Sequence, residues 1–296
     1  MTEDWENGGF GIYIHWPFCT AKCPYCDFNS HVRSDINQKQ WLKAYLNEIK
    51  RVSEKTSNRI LNSVFFGGGT PSLIEPSIIG DVLNEIQKHW KTKNNFEVTL
   101  EANPGSVDAK NFKAYKEAGV NRTSMGIQSL NTKDLKALGR THTVEEALAA
   151  FEIARQNFKA VSFDLIYARQ NQNINQWEKE LSLALSLEAS HMSLYQLTIE
   201  QGTAFGDRYN RGLLKGLPND DTSADMYDLT LSLCEDRGLV SYEVSNYAHQ
   251  GYESIHNLIY WRYGDYIGIG PGAHGRLTID GKKYATETVL SPEAWL

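Results

Sequence analysis

The sequence predicts an α/β protein built as an incomplete TIM-like (βα)6 barrel, followed by a C-terminal extension of irregular loops and a β-hairpin. Three observations carry this expectation. Short apolar runs alternate six times with segments of helical periodicity, a pattern that gives a parallel sheet with right-handed crossovers. Polar and glycine-rich motifs recur at or near the carboxyl ends of those runs, where barrels of this kind carry function. Six strand ends also surround one mouth more readily in a partial barrel than in an open sheet.

The elements follow in order. Ile12–Trp16 (IYIHW) reads as a buried strand, and residues 36–55 place Leu42, Tyr45, Leu46, Ile49 and Val52 at helical spacing. Val64–Phe66 is a second strand that ends in Gly67-Gly68-Gly69-Thr70, and a helix runs from Pro76 to about Trp90. Phe96–Leu100 is the third strand, ending in Glu101-Ala102-Asn103-Pro104, with a helix over Asp108–Ala118 stopped by Gly119. Arg122–Ile127 precedes helical segments near 132–138 and 143–157, and Val161–Tyr167 precedes a helix over 174–188. Met192–Ile199 is the sixth strand, and the helix over 222–237 stops at Gly238. Beyond residue 240 the pattern turns irregular, with Tyr, His, Asn and Trp crowded into 244–265, until Thr278–Tyr284 reads as a hairpin around Asp280-Gly281. The expected division is a barrel over 1–240 and an extension over 241–296.

Composition bounds the function. Of 296 residues, 41% are hydrophobic and 22% charged, the profile of a globular protein able to bury a large core without staples. A net charge of −6 predicts no nucleic-acid partner, which would require a clustered basic excess. No apolar run approaches the ~20 residues that span a bilayer, so a peripheral encounter is the most a membrane is expected to have. The opening MTEDWENGG has neither the basic region nor the apolar core of a secretory signal. Together with the clustered cysteines, this predicts a cytoplasmic protein.

Three of the four cysteines, Cys19, Cys23 and Cys26, fall within eight residues. A secreted disulfide framework spreads its cysteines, so this cluster reads as a reduced metal site. Three thiolates on one short loop can face an iron–sulfur cluster and leave its fourth iron open to an exchangeable ligand, as the binding and reductive cleavage of a sulfonium cofactor requires. Zinc is the alternative, with His15 or His31 as fourth ligand. Cys234, isolated in a helical pattern, reads as a small core residue.

The segment Tyr13-Ile-His-Trp-Pro-Phe-Cys19-Thr-Ala-Lys-Cys23-Pro-Tyr25-Cys26-Asp-Phe-Asn-Ser-His31 resembles the radical S-adenosylmethionine (SAM) superfamily. Within it, the chain is most similar to the haem chaperones related to the oxygen-independent coproporphyrinogen III oxidases. GGGTPS (67–72), LEANPGS (100–106), SMGIQSL (124–130), LGRTH (138–142), FDLIY (163–167), LYQLTIE (194–200), HNLIYW (256–261) and GDYIGIGPGAHG (264–275) extend the resemblance along the chain. It implies a partial barrel of the radical SAM type in which Cys19, Cys23 and Cys26 hold a 4Fe-4S cluster and SAM caps the open iron. The family's SAM contacts fall on Tyr13, Tyr25, Gly68, Gly69, Thr70, Glu101, Gln128, Arg140, Asp164 and Thr198. The residue types suit the cofactor. Glycines admit an ammonium close to backbone carbonyls, Arg140 offers a guanidinium fork to a carboxylate, and Glu101, Gln128 and Asp164 accept from a ribose diol. One electron from the cluster would cleave SAM to methionine and a deoxyadenosyl radical; whether this branch uses the radical on a substrate stays open. The resemblance also implies haem as cargo, an acceptor protein to receive it and an electron-donor protein. His256, in HNLIYW, is the candidate haem ligand, and His274 is a second candidate facing the same mouth.

The chain departs from the family's pattern in three places. The oxidases carry a further cysteine where this chain has Phe28, and a longer segment ahead of the first strand; both points favour the chaperone branch. After the fifth strand the usual Gly-Leu-Pro is replaced by Ala168-Arg169-Gln170, which removes a residue at ease with φ > 0 and a fixed φ and makes Arg169 a candidate for a propionate or a phosphate. Coproporphyrinogen oxidation and a zinc-stabilised binding module are the rival functions. Ser291-Pro292-Glu293 reads as a helix start, so the chain is expected to stop short of a small C-terminal helical domain.

Overall fold

The computed structural model describes residues 4–296. Among them, eleven strands form one sheet: β1 (Phe10–Trp16), β2 (Ile60–Gly68), β3 (Lys91–Ala102), β4 (Arg122–Gln128), β5 (Ala160–Tyr167), β6 (His191–Gln196), β7 (Val240–Ser241), β8 (Asn246–Ala248), β9 (Asp265–Ile269), β10 (His274–Ile279) and β11 (Lys282–Glu287). Their order is β11-β10-β9-β1-β2-β3-β4-β5-β6-β8-β7. Strand β9 and strands β1 to β6 run parallel, each to its neighbour. The outer strands are antiparallel. The six barrel strands lie where the sequence predicts them. Parallel strands are covered on both faces; in β1 every residue except Tyr13 is buried.

Two differences are instructive. Strand β6 ends at Gln196, three residues early: Leu197 N–H still reaches the Tyr167 carbonyl, and beyond it the chain leaves the sheet. The segment after residue 240, irregular in sequence, carries strands at both edges of the same sheet. Strands β7 and β8 extend the β6 edge, while β9 lies against β1, pairing Phe10 with Asp265 and Ile14 with Ile269. The hairpin spans His274 to Glu287, with Asp280 and Gly281 at φ +52° and +72°, as a two-residue turn between twisted strands requires.

Helices cover the outer faces, and several are started by side chains. Thr143 and Asn173 each form a reciprocal capping box, with Glu146 and Gln176. Helix Gln38–Ser53, capped by Asn37, buries Trp41, Tyr45 and Ile49; Leu42 and Leu46, expected on that face, lie at its half-buried margin. Trp41 meets Trp16 and Phe18 edge-on and stacks on Trp295 at 5.5 Å. Each such burial stabilises the fold by about 2–3 kcal/mol. Trp295 belongs to a short turn, Pro292–Trp295, started by Ser291 as the sequence indicates. Cys234 is fully buried, its thiol pushed up to about 12 by burial, and is a core residue. No helix among the described residues is long and apolar enough to cross a membrane.

The replaced Gly-Leu-Pro loop keeps a left-handed residue despite losing its glycine: Ala168 takes φ +56°. A Cβ there costs about 1–2 kcal/mol. Ala168→Gly is therefore expected to raise stability by about 1 kcal/mol, read as a higher urea midpoint; an unchanged or lower midpoint would contradict the strain.

Candidate functional site

The site begins with the turn after β2. Gly69 N–H donates to the Trp16 carbonyl at 2.7 Å, and Thr70 N–H to the Phe18 carbonyl at 2.8 Å. This zips the glycine turn to the segment that delivers Cys19. A Cβ on Gly69 would stand 2.6 Å from the Phe18 carbonyl oxygen, so only glycine permits the approach. Phe18–Cys19 then pairs with His31–Val32, bracketing the loop that carries all three cysteines.

Two further segments clamp that loop. Phe205 N–H donates to the Pro24 carbonyl, and the Phe205 ring packs on Tyr25. Gly139, at φ +69°, sits so close to Pro24 that a Cβ would lie 2.7 Å from its ring. The next residue, Arg140, donates to Cys23 Sγ at 3.4 Å, to Asn103 Oδ1 at 2.7 Å and to the Gly126 carbonyl at 2.9 Å. A cation thus faces the middle thiol. Burial pushes the Cys19 and Cys26 thiols up, while Thr70 and Ser30 hydroxyls offset part of that for Cys19.

Opposite the thiols stand two carboxyls. Burial, then the nearby Asp164 charge, raises Glu101 to about 8, against one stabilising bond from Gly68 N–H at 3.1 Å. Burial raises Asp164 to about 6, although Ser193 and Ser124 hydroxyls favour its ionised form. Both folded values exceed the unfolded ones, so the stability they contribute is whole below about pH 4 and is lost as pH climbs through 6 and 8. The ligand-free protein is expected to lose stability between about pH 4 and 8, and Glu101→Gln to flatten the upper half of that decline. Parallel curves in a urea series across pH would refute the assignment.

Eleven of the fourteen residues singled out in the sequence line one cavity of about 150 Å³: the three cysteines, Tyr25, Gly68, Gly69, Thr70, Glu101, Gln128, Arg140 and Asp164. Gln128 sits at φ +71°, beside a register shift between β4 and β5, a strained backbone of the kind found at ligand sites. Sequence reasoning quoted the motifs holding Asn103, Ser124 and Gly126 without assigning those residues; all three line the cavity. Their hydrogen bonds to Arg140 and Asp164 depend on tertiary placement.

The other three lie elsewhere. Tyr13 faces the neighbouring cavity and donates to His15 Nδ1 at 2.9 Å. Thr198 is exposed beyond the end of β6. His256 is buried, stacked on Phe65, with Nδ1 2.8 Å from Ser63 Oγ and Nε2 2.7 Å from Tyr260 Oη. Burial lowers it to about 3, and neither ring nitrogen is open to an iron. Two lesser candidates are also occupied. His15 Nε2 donates to the Asn29 carbonyl and Nδ1 accepts from the Tyr13 hydroxyl, so neither nitrogen is open to zinc. Arg169 is buried with Asp134 at 2.8 Å and Glu180 at 2.5 Å, away from any propionate or phosphate at the mouth.

The donor set suits an anionic group seated against sulfur. Arg140 Nε is buried without a hydrogen-bond partner among the described residues, an orphan that an acceptor in the cavity would satisfy. Among those residues, no three His, Cys, Asp or Glu side chains converge on one point as a single ion demands.

Comparison with known proteins identifies the chain's relatives. The family model described as the radical SAM superfamily matches residues 13–184. The chain is 43% identical to the haem chaperone HemW of Haemophilus influenzae, over 90% of this chain and 70% of that protein. It is 38% identical to the haem chaperone HemW of Escherichia coli, over 96% of this chain and 75% of that protein. Its fold superposes on coproporphyrinogen III oxidase HemN of Escherichia coli, a radical SAM enzyme, with a TM-score of 0.79 at 20% identity, covering 95% of this chain and 67% of that one.

Proposed function

This chain belongs to the radical SAM superfamily and, within it, to the family of HemW, and on that premise we propose that it is a cytoplasmic haem chaperone. In this reading it holds a 4Fe-4S cluster, SAM and haem, and passes haem to an acceptor protein. The observation that carries the reading is the convergence of three thiols, a guanidinium and two carboxyls on one cavity at the strand ends. Cys19, Cys23 and Cys26 would hold the cluster, with Arg140 screening its charge. Gly68, Gly69 and Thr70 would receive an ammonium, Arg140 Nε a carboxylate, and Glu101, Gln128 and Asp164 a ribose diol. When bound, such a cluster supplies the single electron that cleaves SAM. An electron-donor protein would recharge it.

Phe28 favours transport over oxidation, since it stands where the oxidases carry a cysteine, and it is 56% exposed. The test is anaerobic reconstitution followed by haem loading. Transfer from the loaded chain to an apo-haem protein is expected, and no vinyl product from coproporphyrinogen III with SAM and reductant. Vinyl product formation would overturn the chaperone reading in favour of the oxidase. Bound zinc without labile sulfide would defeat both.

A further inference from the structure

A second cavity, of about 660 Å³, opens between the cysteine loop and the C-terminal hairpin and shares Lys22, Phe28 and Ser30 with the first. It is a built feature. Asn29 Nδ2 donates to the carbonyls of Pro271 and Leu290, both at 2.9 Å, tying loop to hairpin. One wall is aromatic, with Tyr260 and Tyr266 in edge contact at 4.5 Å. The rim carries exposed Phe28 and Leu290, and Lys22 supplies a cation. The slot mixes aromatic faces with polar groups, Asp27 and Lys22 among them, and an aromatic wall facing a cation suits a flat macrocycle that carries carboxylates.

Two of its histidines stand free of the core. His31 commits Nε2 to Asn29 Oδ1 at 3.2 Å. His274, on β10, has Nδ1 3.7 Å from Glu287 Oε1, and among the described residues its Nε2 has no hydrogen-bond partner. Glu287 stands beyond hydrogen-bond reach of this imidazole, which leaves the open nitrogen free to meet a metal.

We infer that this cavity is where the protein holds haem, with His274 Nε2 as the iron ligand. The inference rests on the chaperone reading above. His256 then becomes a positioning residue. Its Nε2 holds the Tyr260 hydroxyl at 2.7 Å, fixing the aromatic wall from behind while the ring itself stays buried. The HNLIYW segment would thus serve haem through Tyr260, and the ligand would come from the hairpin. The shared Phe28 and Ser30 would put the porphyrin beside the cluster, where one electron donor could serve both.

The test is haem titration of the full, anaerobically reconstituted chain, followed by absorption spectroscopy. Wild type is expected to give an imidazole-ligated spectrum. His274→Ala should lose that signature and at least tenfold in affinity, with added imidazole restoring the signature. His256→Ala should keep the signature with weaker binding, and Tyr260→Phe should weaken binding less. A His274→Ala variant that keeps the wild-type spectrum and affinity overturns the assignment and leaves the chaperone reading intact. A wild type that binds no haem defeats the chaperone reading, and the assignment with it.

Discussion

Replacing Cys19, Cys23 and Cys26 together by serine is expected to leave a folded chain that retains less than a tenth of the iron and labile sulfide of wild type after anaerobic reconstitution. The fold should survive because none of the three side chains carries it. Cys19 is the only buried one, and the sheet pairing of its segment with His31–Val32 uses backbone groups. The side-chain bonds lost include the 3.4 Å contact from Arg140 to Cys23 Sγ, after which Arg140 keeps Asn103 and the Gly126 carbonyl, and those of the Thr70 and Ser30 hydroxyls with the thiols, which a serine hydroxyl replaces in part. A stability change within about 1 kcal/mol follows. Metal loading should collapse because a thiolate is the ligand and a serine hydroxyl stays protonated. Undiminished iron and sulfide in the triple variant would remove the cysteine loop from the site altogether. Haem titration of the same variant separates the two cavities: if His274 is the iron ligand, haem affinity persists without the cluster.

Much of this architecture is legible in the sequence because it is written locally. Most of strands β1 to β6 hold a short apolar stretch, as at Ile12–Trp16 and Val64–Phe66, and several helix starts carry their own cap, as at Asn37, Thr143 and Asn173. The thiol cavity is legible for a related reason. Each motif sits at the end of its own strand, and a parallel sheet brings all such ends to one side. What escapes is what depends on partners far along the chain. Strand β9 pairs Phe10 with Asp265, and nothing near residue 265 announces a neighbour so distant. His256 misleads for the same reason. A histidine beside Asn, Tyr and Trp has the composition of an exposed ligand loop, but Ser63 and Phe65 from β2 close over it. Ala168 shows a third limit: the backbone keeps the left-handed turn after the glycine that suits it is gone.

The join between β9 and the rest of the sheet is where a single change should cost most. Asp265 is fully buried and accepts from Arg59 Nη1 at 2.6 Å, from Thr278 Oγ1 at 3.0 Å and from Thr278 N–H, with Lys283 Nζ at 3.6 Å. Arg59 is itself buried under Trp5 and Phe10 and also donates to the Thr278 carbonyl. Asp265→Ala removes the only anion this guanidinium meets among the described residues and strips two donors on β10 of their acceptor. The expected loss is about 3–5 kcal/mol, larger than for any surface pair. The charge itself is not what the site needs. The double change Arg59→Met with Asp265→Leu should cost less than Asp265→Ala alone, because no buried charge is left unpaired. Urea midpoints of the single and double variants decide this, and a loss below about 1 kcal/mol for Asp265→Ala would mean that water reaches Arg59 and the join is loose. Because β10 carries His274 and is anchored through Thr278 to Asp265, the same substitution should weaken haem binding at temperatures where the chain remains folded. Asp265→Asn, which keeps the acceptor for Thr278 but not the charge, should fall between wild type and alanine in both measurements.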